Sequence, residues 1–356
     1  MKTIAYTSAA VNYLPKVRKL CASIKRLHPE FEVVLALSDK PNAGVDFSAE
    51  PIDRVIAVED LDIPDRTRWS FFHDIVELST AIKPFVLKKL LAEDGVARVL
   101  YFDPDMVLFS RLDDLLAALD AANVVLTPHQ THPETTLEAV RDNEIASLKH
   151  GIYNLGFLGV RPTAEGRRFA DWWAERIYHF CVADIANGLF TDQRWIDLAP
   201  AFFDGVGILK NTRYNVATWN LTTRLLSGDI ANGFKVDGNP LGFYHFTGFD
   251  SGAHRVMADK NAPGNASVRA LVDWYADETR LDRDDPVARI RWQYGSYADG
   301  SPIPTSHRRL YRARPDLQAT FPDPFDNLGR QSLAHWMQTQ GPLEQPEYFP
   351  KKKAWG

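Results

Sequence analysis

Asp103-Pro104-Asp105 directly follows an apolar run, VLYF. Two carboxylates one residue apart, at the end of a strand, can hold one divalent cation. Hard cations such as Mg²⁺ or Mn²⁺ take oxygen ligands and bridge to diphosphate oxygens. Such a cation would act as a Lewis acid on a departing nucleotide diphosphate, which carboxylates alone would repel. Pro104 stiffens the pair because its φ is fixed. The plainer reading is an Asx turn or a helix cap. Position favours the chemistry, since open α/β sheets bind ligands beyond the carboxyl ends of their strands.

The elements that must position this pair are readable upstream. Residues 3–9 (TIAYTSA) form a buried strand pattern. Leu14, Val17, Leu20, Cys21, Ile24 and Leu27 recur at helical spacing. Strands follow at 32–38 (EVVLALS), closed by Asp39, and at 53–58 (DRVIAV). A helical stretch covers about 69–91, kinked or split at Pro84. Residues 97–102 (ARVLYF) and 123–127 (NVVLT) are the fourth and fifth strands. Strands spaced by helices imply right-handed β-α-β units and a mainly parallel sheet. Their near-continuous apolar character fits strands buried on both faces. Further on, 151–160 (GIYNLGFLGV) reads as a strand broken by glycines, and 163–181 as a helix. Residues 191–198 (TDQRWIDL) look like another helix start with Thr191 as N-cap. After Gly238 the pattern loosens, and 292–356 reads as an extension of short helices and loops.

Composition excludes several classes. The chain has 356 residues, 45% hydrophobic and 24% charged, with a net charge of -5. A general preference for polyanions, nucleic acid included, is not expected of that balance. Two cysteines, Cys21 and Cys181, without a C-x-x-C pair argue for buried thiols rather than a zinc site. The first residues run straight into a strand pattern, so no signal peptide is expected. No apolar run approaches the ~18 residues a membrane span requires. The expected location is cytoplasmic, with peripheral contact at the inner face of a membrane left open.

The stretch YFDPDMVLF also fits phosphatases of the haloacid dehalogenase type, in which the first aspartate is a nucleophile. That motif sits on the first strand of its fold, whereas three strand-like segments precede Asp103. A different order of motifs covers more of the chain. TSAAVNYLPKVRKLCASIKR, ELSTAIKPFVLKKLL, YFDPDMVLF, GIYNLGFLGV, TDQRWIDLAP, YNVATWNL and FYHFTGF occur in succession. Together they resemble GT-A fold glycosyltransferases of family 8, the glycogenin-like and lipopolysaccharide-galactosyltransferase-like group. A bacterial branch among polysaccharide biosynthesis enzymes is more similar still. The resemblance runs from residue 1 to about residue 250.

The resemblance implies roles for particular residues. Asp103 and Asp105 match the metal-binding Asp-x-Asp, and His245 the third ligand, with Gly248 three residues later. A neutral imidazole suits such a carboxylate site. The related enzymes often continue into Lys-Pro-Trp, with the lysine on the diphosphate. Here the run is HFTGFDSG, so that lysine is not at that place. Lys83, in AIKPF, is a basic residue in a region that reaches the donor. Thr7 and Asp39 end strands that contact base and ribose in such enzymes. Asn154 and Gly156 match a segment lining the sugar site. Asp192 and Gln193 match a pair beneath the donor sugar in retaining members. Tyr214, Asn215 and Trp219 are further sugar contacts, or ordinary core.

Residues 307–314 (HRRLYRAR) and 351–353 concentrate positive charge. They suit an anionic membrane or a lipid-linked pyrophosphate, at about 1 kcal/mol per basic residue. The plainer reading is solvated surface with ion pairs. The expectation is thus an α/β, GT-A catalytic domain over 1–290, with a C-terminal extension at 291–356. Its nucleotide-binding half covers about 1–130, and its acceptor and sugar half about 131–290. Its activity would be metal-dependent, retaining transfer of a hexose or deoxyhexose. The donor would be a nucleotide diphosphate sugar, the acceptor a glycan, a lipid-linked molecule or another group. The alternatives are a phosphatase using Asp103 and a nucleotide-sugar or glycan binder without turnover.

Overall fold

The computed structural model describes residues 2–41, 44–283 and 285–349. The strands that build the site are β1 (Lys2–Ala9), β2 (Glu32–Leu37), β3 (Arg54–Ala57), β4 (Val96–Phe102), β5 (Met106–Leu108), β6 (Val124–Pro128), β7 (Tyr153–Val160), β8 (Val206–Ile208) and β9 (Phe243–His245). Seven of these form one sheet in the order β8-β6-β7-β4-β1-β2-β3. Neighbours pair in parallel except at β7, which runs antiparallel to both β4 and β6. The sheet is mainly parallel, as the alternation of strands and helices predicted. β5 and β9 form a separate antiparallel ribbon.

Side-chain alternation divides the core between the two faces of the sheet. Ile4 and Tyr6 of β1 pack on one face, with Leu87 and Leu90 and with Phe169 and Trp173 of the helix Ala164–Phe180. Ala5 and Ala9 pack on the other, with Leu20 and Ile24 of α1 (Leu14–Leu27). Both cysteines are buried and unpaired. Among the described residues, no helix is long and apolar enough to cross a membrane.

The structure departs from the sequence reading at several places. The helical stretch expected at 69–91, kinked or split at Pro84, is three helices, α2 (Arg66–Phe71), α3 (Ile75–Ala81) and α4 (Lys83–Leu91), the last break falling just before Pro84 and the other not foreseen. Pro84 sits in the first turn of α4, where its missing N–H is harmless. Asp74 caps α3 by accepting from the Glu77 N–H, and the Glu77 carboxylate accepts from the Asp74 N–H. That capping box, D-x-x-E, was present in the letters. Thr191 is not an N-cap: its φ is +45°, and the helix Gln193–Ile196 begins after Asp192. The region after Gly238 is more ordered than its pattern suggested, with helices Ala253–Asn261 and Ala266–Arg283. Val268, Leu271, Val272 and Tyr275 supply the buried stripe of the second helix.

The C-terminal extension is tied to the sheet domain by two arginines, Arg308 buried and Arg312 half-buried. Arg308 donates to the carbonyls of Phe71 at 3.0 Å, His73 at 2.9 Å and Tyr294 at 2.5 Å. Arg312 donates to those of Cys181 and His179. These two members of the basic run therefore face inward rather than toward a membrane or solvent. Arg314 pairs with Asp316 at the surface. The cluster at 351–353 lies outside the described residues.

Replacing Arg308 with Met would leave three carbonyls without their donor. We expect a stability loss of about 2–4 kcal/mol in urea unfolding, and earlier proteolysis within the extension. Burial pushes the imidazoles of His254 and His307 down to about 4. Both are then neutral in the folded chain at pH 5, while an unfolded histidine titrates near ~6.5. Unfolding therefore takes up protons, and stability should fall as pH drops from about 6.5 toward 4. A pH series of melting temperatures checks this, and a flat profile over that window would contradict it.

Candidate active site

The end of β4 is held by its neighbours before any ligand is considered. The Asp103 N–H donates to the Gly156 carbonyl of β7 at 2.8 Å. The Met106 N–H donates back to the Asp103 carbonyl at 3.1 Å, closing a turn that sends the chain into β5. In the β5–β9 ladder, Met106 lies opposite His245, and the Phe246 N–H donates to the Asp105 carbonyl. Backbone pairing alone thus brings a residue 140 positions away onto the acidic pair.

Side chains complete the cluster. His245 Nε2 lies 3.1 Å from Asp105 Oδ1 and 3.7 Å from Asp103 Oδ2. One ligand atom from each of the three falls within 4.8 Å of the others. The other ring nitrogen, Nδ1, is 3.3 Å from Asn154 Oδ1. A proton held on Nδ1 toward that oxygen leaves Nε2 free as a ligand, the usual orientation of a metal-binding histidine. Two carboxylate oxygens and an imidazole nitrogen suit Mn²⁺ or Mg²⁺.

Electrostatics matches the geometry. Burial alone would raise the Asp105 carboxyl, but the His245 imidazole and the Lys16 charge hold it below its ordinary range. His245 moves the opposite way: burial lowers it, and Asp105 and Asp103 more than offset that. Lys83 is buried at the start of α4, and its Nζ donates to Asp103 Oδ1 at 3.2 Å. It also lies 3.3 Å from Asp192 Oδ2, without the alignment of a hydrogen bond. Burial would lower the Lys83 ammonium, yet the two aspartates raise it above its usual value. Burial raises the Asp192 carboxyl, and Lys83 opposes this.

Asp103, Asp105, His245, Lys83 and Asp192 line one cavity of about 740 Å³. Its walls include Ser8 and Ala9 at the end of β1, Asn12 and Tyr13 after it, and Ile75, Ser79 and Thr80 of α3. Asn154, Asp192, Gln193, Trp219 and Thr247 close the other side. Gln193 Oε1 accepts from the Leu155 N–H at 3.0 Å and from Asn154 at 3.2 Å, while its Nε2 donates to the His150 carbonyl. Its amide is therefore held at both ends. Asn215 donates to Asn154 Oδ1 from behind, and its own residue is fully buried. Trp219 meets the His245 ring edge-on, with centroids 5.5 Å apart.

Three expected residues lie elsewhere. Thr7 points to the α1 face of β1, because it alternates with Ser8, which reaches the cavity. Asp39 is buried and accepts from the Lys40 and Gln293 backbones, so it ties down the extension. Tyr214 packs in the core and donates to Asp114. Gly248 sits just past the lining residue Thr247, at φ +69°.

The sequence reading passed over Tyr101, whose hydroxyl donates to Asp103 Oδ1 at 2.5 Å. Its signal was available: two residues before Asp103 on a strand, it shares that residue's face. His129 was also missed, although it follows the fifth strand at a carboxyl end. Burial pushes it down to about 4, so it is a neutral lining group near neutral pH.

Gly156 has no room for a side chain. A Cβ there would lie 2.5 Å from Met106 Cε and 2.7 Å from both Asn154 Oδ1 and His245 Cε1. Gly156→Ala should displace the imidazole and weaken Mn²⁺ binding about 10–100-fold, with the circular dichroism spectrum kept. Unchanged Mn²⁺ affinity in an electron-spin titration would count against this placement of His245.

No family model matches the chain. It is similar to "Uncharacterized protein YfnD" of Bacillus subtilis (strain 168), 25% identical over 197 residues, covering 54% of this chain and 60% of that one. It is also similar to "Uncharacterized protein YfnF" of the same strain, 26% identical over 179 residues, covering 49% and 58%. The match thus spans less than two thirds of either relative. Among solved structures it is similar to galactosyltransferase LgtC in complex with donor and acceptor sugar analogues. There the identity is 16% and the TM-score 0.47, over 78% of this chain and 95% of that one. For glycosyltransferase GlyE of Streptococcus pneumoniae TIGR4 the values are 16% and 0.44, over 78% and 64%. For mouse xyloside xylosyltransferase 1 they are 15% and 0.39, over 69% and 98%.

Proposed function

We propose that this protein is a glycosyltransferase. It moves a sugar from a nucleotide diphosphate donor to an acceptor hydroxyl, with Mn²⁺ or Mg²⁺ held by Asp103, Asp105 and His245. The observation that carries this reading is the convergence of those three side chains in the one cavity that also holds Lys83 and Asp192. A cavity of that size accommodates a nucleotide sugar. When bound, the cation supplies positive charge to the departing diphosphate.

The chain's own groups do the rest. Tyr101 and Lys83 hold the Asp103 carboxylate in one orientation. Asp192 Oδ2 is buried without a hydrogen bond, so it is open to a hydroxyl of the transferred sugar. Gln193 fixes the backbone of Leu155 beneath that position. Its amide is a poor nucleophile, which suits a retaining, front-side transfer. In that step the bond from the anomeric carbon to the diphosphate oxygen breaks, and a bond to the acceptor oxygen forms. The acceptor proton passes to the leaving oxygen. The transferred group is a hexose or deoxyhexose, and the acceptor a glycan or lipid-linked molecule used in polysaccharide synthesis. Residues 1–290 are the catalytic unit, acting in the cytoplasm, and Gly248 supports its nucleotide side. A phosphatase using Asp103 is disfavoured, because Asp103 follows the fourth strand along the chain rather than the first.

A thermal-shift screen of nucleotide sugars, with and without Mn²⁺, tests the proposal. A donor at about 100 times its Kd stabilises the fold by roughly 2.7 kcal/mol. We expect a shift that requires the metal, and sugar transfer or slow donor hydrolysis from the same compound. Asp105→Ala should keep the fold and lose that shift together with turnover. Wild-type turnover in the variant would remove Asp105 from the site.

A further inference from the structure

The proposed reaction brings a diphosphate into a cavity that already contains Asp103, Asp105 and Asp192. Lys83 is the buried lysine among the lining groups. A second buried ammonium stands next to Tyr13. Lys16 of α1 is 7% exposed, a rare burial for a lysine. Its Nζ donates to Tyr13 Oη at 2.9 Å and lies 4.4 Å from the centroid of the same ring. Tyr13 lines the cavity, although Lys16 itself does not.

The charge partner of Lys16 is of a different kind. It is Asp250, in the loop that leaves β9, and its side chain is 62% exposed against 9% for the lysine. The loop is bounded by Gly248 at φ +69° and Gly252 at φ +78°, backbone states that glycine enters at little cost. Thr247, at its root, also lines the cavity. A buried ammonium is costly to leave unpaired, whereas an exposed carboxylate returns to water readily. Of the two, Asp250 is the one that can leave.

We propose that Lys16 is a second cationic contact for the donor's diphosphate, and that Asp250 occupies it as a competing anion in the free protein. The inference rests on the glycosyltransferase reading above. Arrival of the diphosphate exchanges one anion for another on Nζ, and Asp250 turns out to solvent on the 248–252 loop. The lysine keeps a partner throughout, so no buried charge is exposed at any stage.

The test is calorimetry on the full chain with uridine, guanosine and adenosine diphosphates in the presence of Mn²⁺. Lys16→Gln should weaken binding of the preferred diphosphate about 10–100-fold, the range for losing one charged hydrogen bond. It should not lower affinity for the parent nucleoside or for Mn²⁺ alone. Asp250→Asn should act in the opposite sense and tighten diphosphate binding. A merely structural ion pair predicts that both variants break one contact and shift binding the same way. Weaker or unchanged binding in Asp250→Asn would overturn the proposal, and that variant serves even if Lys16→Gln does not fold. Wild-type binding that Lys16→Gln retains would overturn this inference alone. A wild-type chain that binds no nucleoside diphosphate would overturn the donor reading as well.

Discussion

The site depends on one constraint: three carboxylates, Asp103, Asp105 and Asp192, are placed together where water is scarce. Like charges in such a place are tolerated only with compensating charge close by. The chain supplies charge from Lys83 of α4 and His245 of β9, and the Tyr101 hydroxyl of β4 adds a neutral donor. Each comes from a different element, so the charge balance holds only if the elements are docked. A divalent cation between the carboxylates and the imidazole would extend a balance that the protein has already arranged.

A neutral hydrogen-bonded shell stands behind the charged one. Asn154 is its centre. Its oxygen accepts from Gly156 N and Asn215, and approaches His245 Nδ1, while its nitrogen reaches Gln193 and His129. The amides of Asn154 and Gln193 are thus engaged with each other, with Asn215, with His129 and with backbone. They position groups rather than attack anything. Gly156 beside them is small because the imidazole occupies the space a side chain would need.

The C-terminal extension reaches the cavity without lining it. Arg308 holds the turn between α2 and α3, and α3 is a cavity wall. Arg312 holds the carbonyls of His179 and Cys181, ahead of the segment that presents Phe190, Thr191 and Asp192. Asp39 receives the Gln293 backbone on the opposite side. A basic run that looked like surface is therefore a brace, because guanidinium groups can satisfy several buried carbonyls at once.

Local pattern was enough for what neighbouring residues decide. The strand and helix order of the first 130 residues, the burial of both cysteines and the position of Asp103-Pro104-Asp105 at a strand end all follow from periodicity and turn chemistry. The link to His245 was legible only through resemblance, because nothing local to residue 245 states which strand it will pair with. Side-chain direction was less accessible still. Thr7 and Ser8 differ by one residue, yet the pleat sends one to the α1 face and the other to the cavity. Lys16 sits on a helix face that sequence alone marks as solvated. Its burial and its partner Asp250 arise from packing elements more than 200 residues apart, which only the tertiary structure decides.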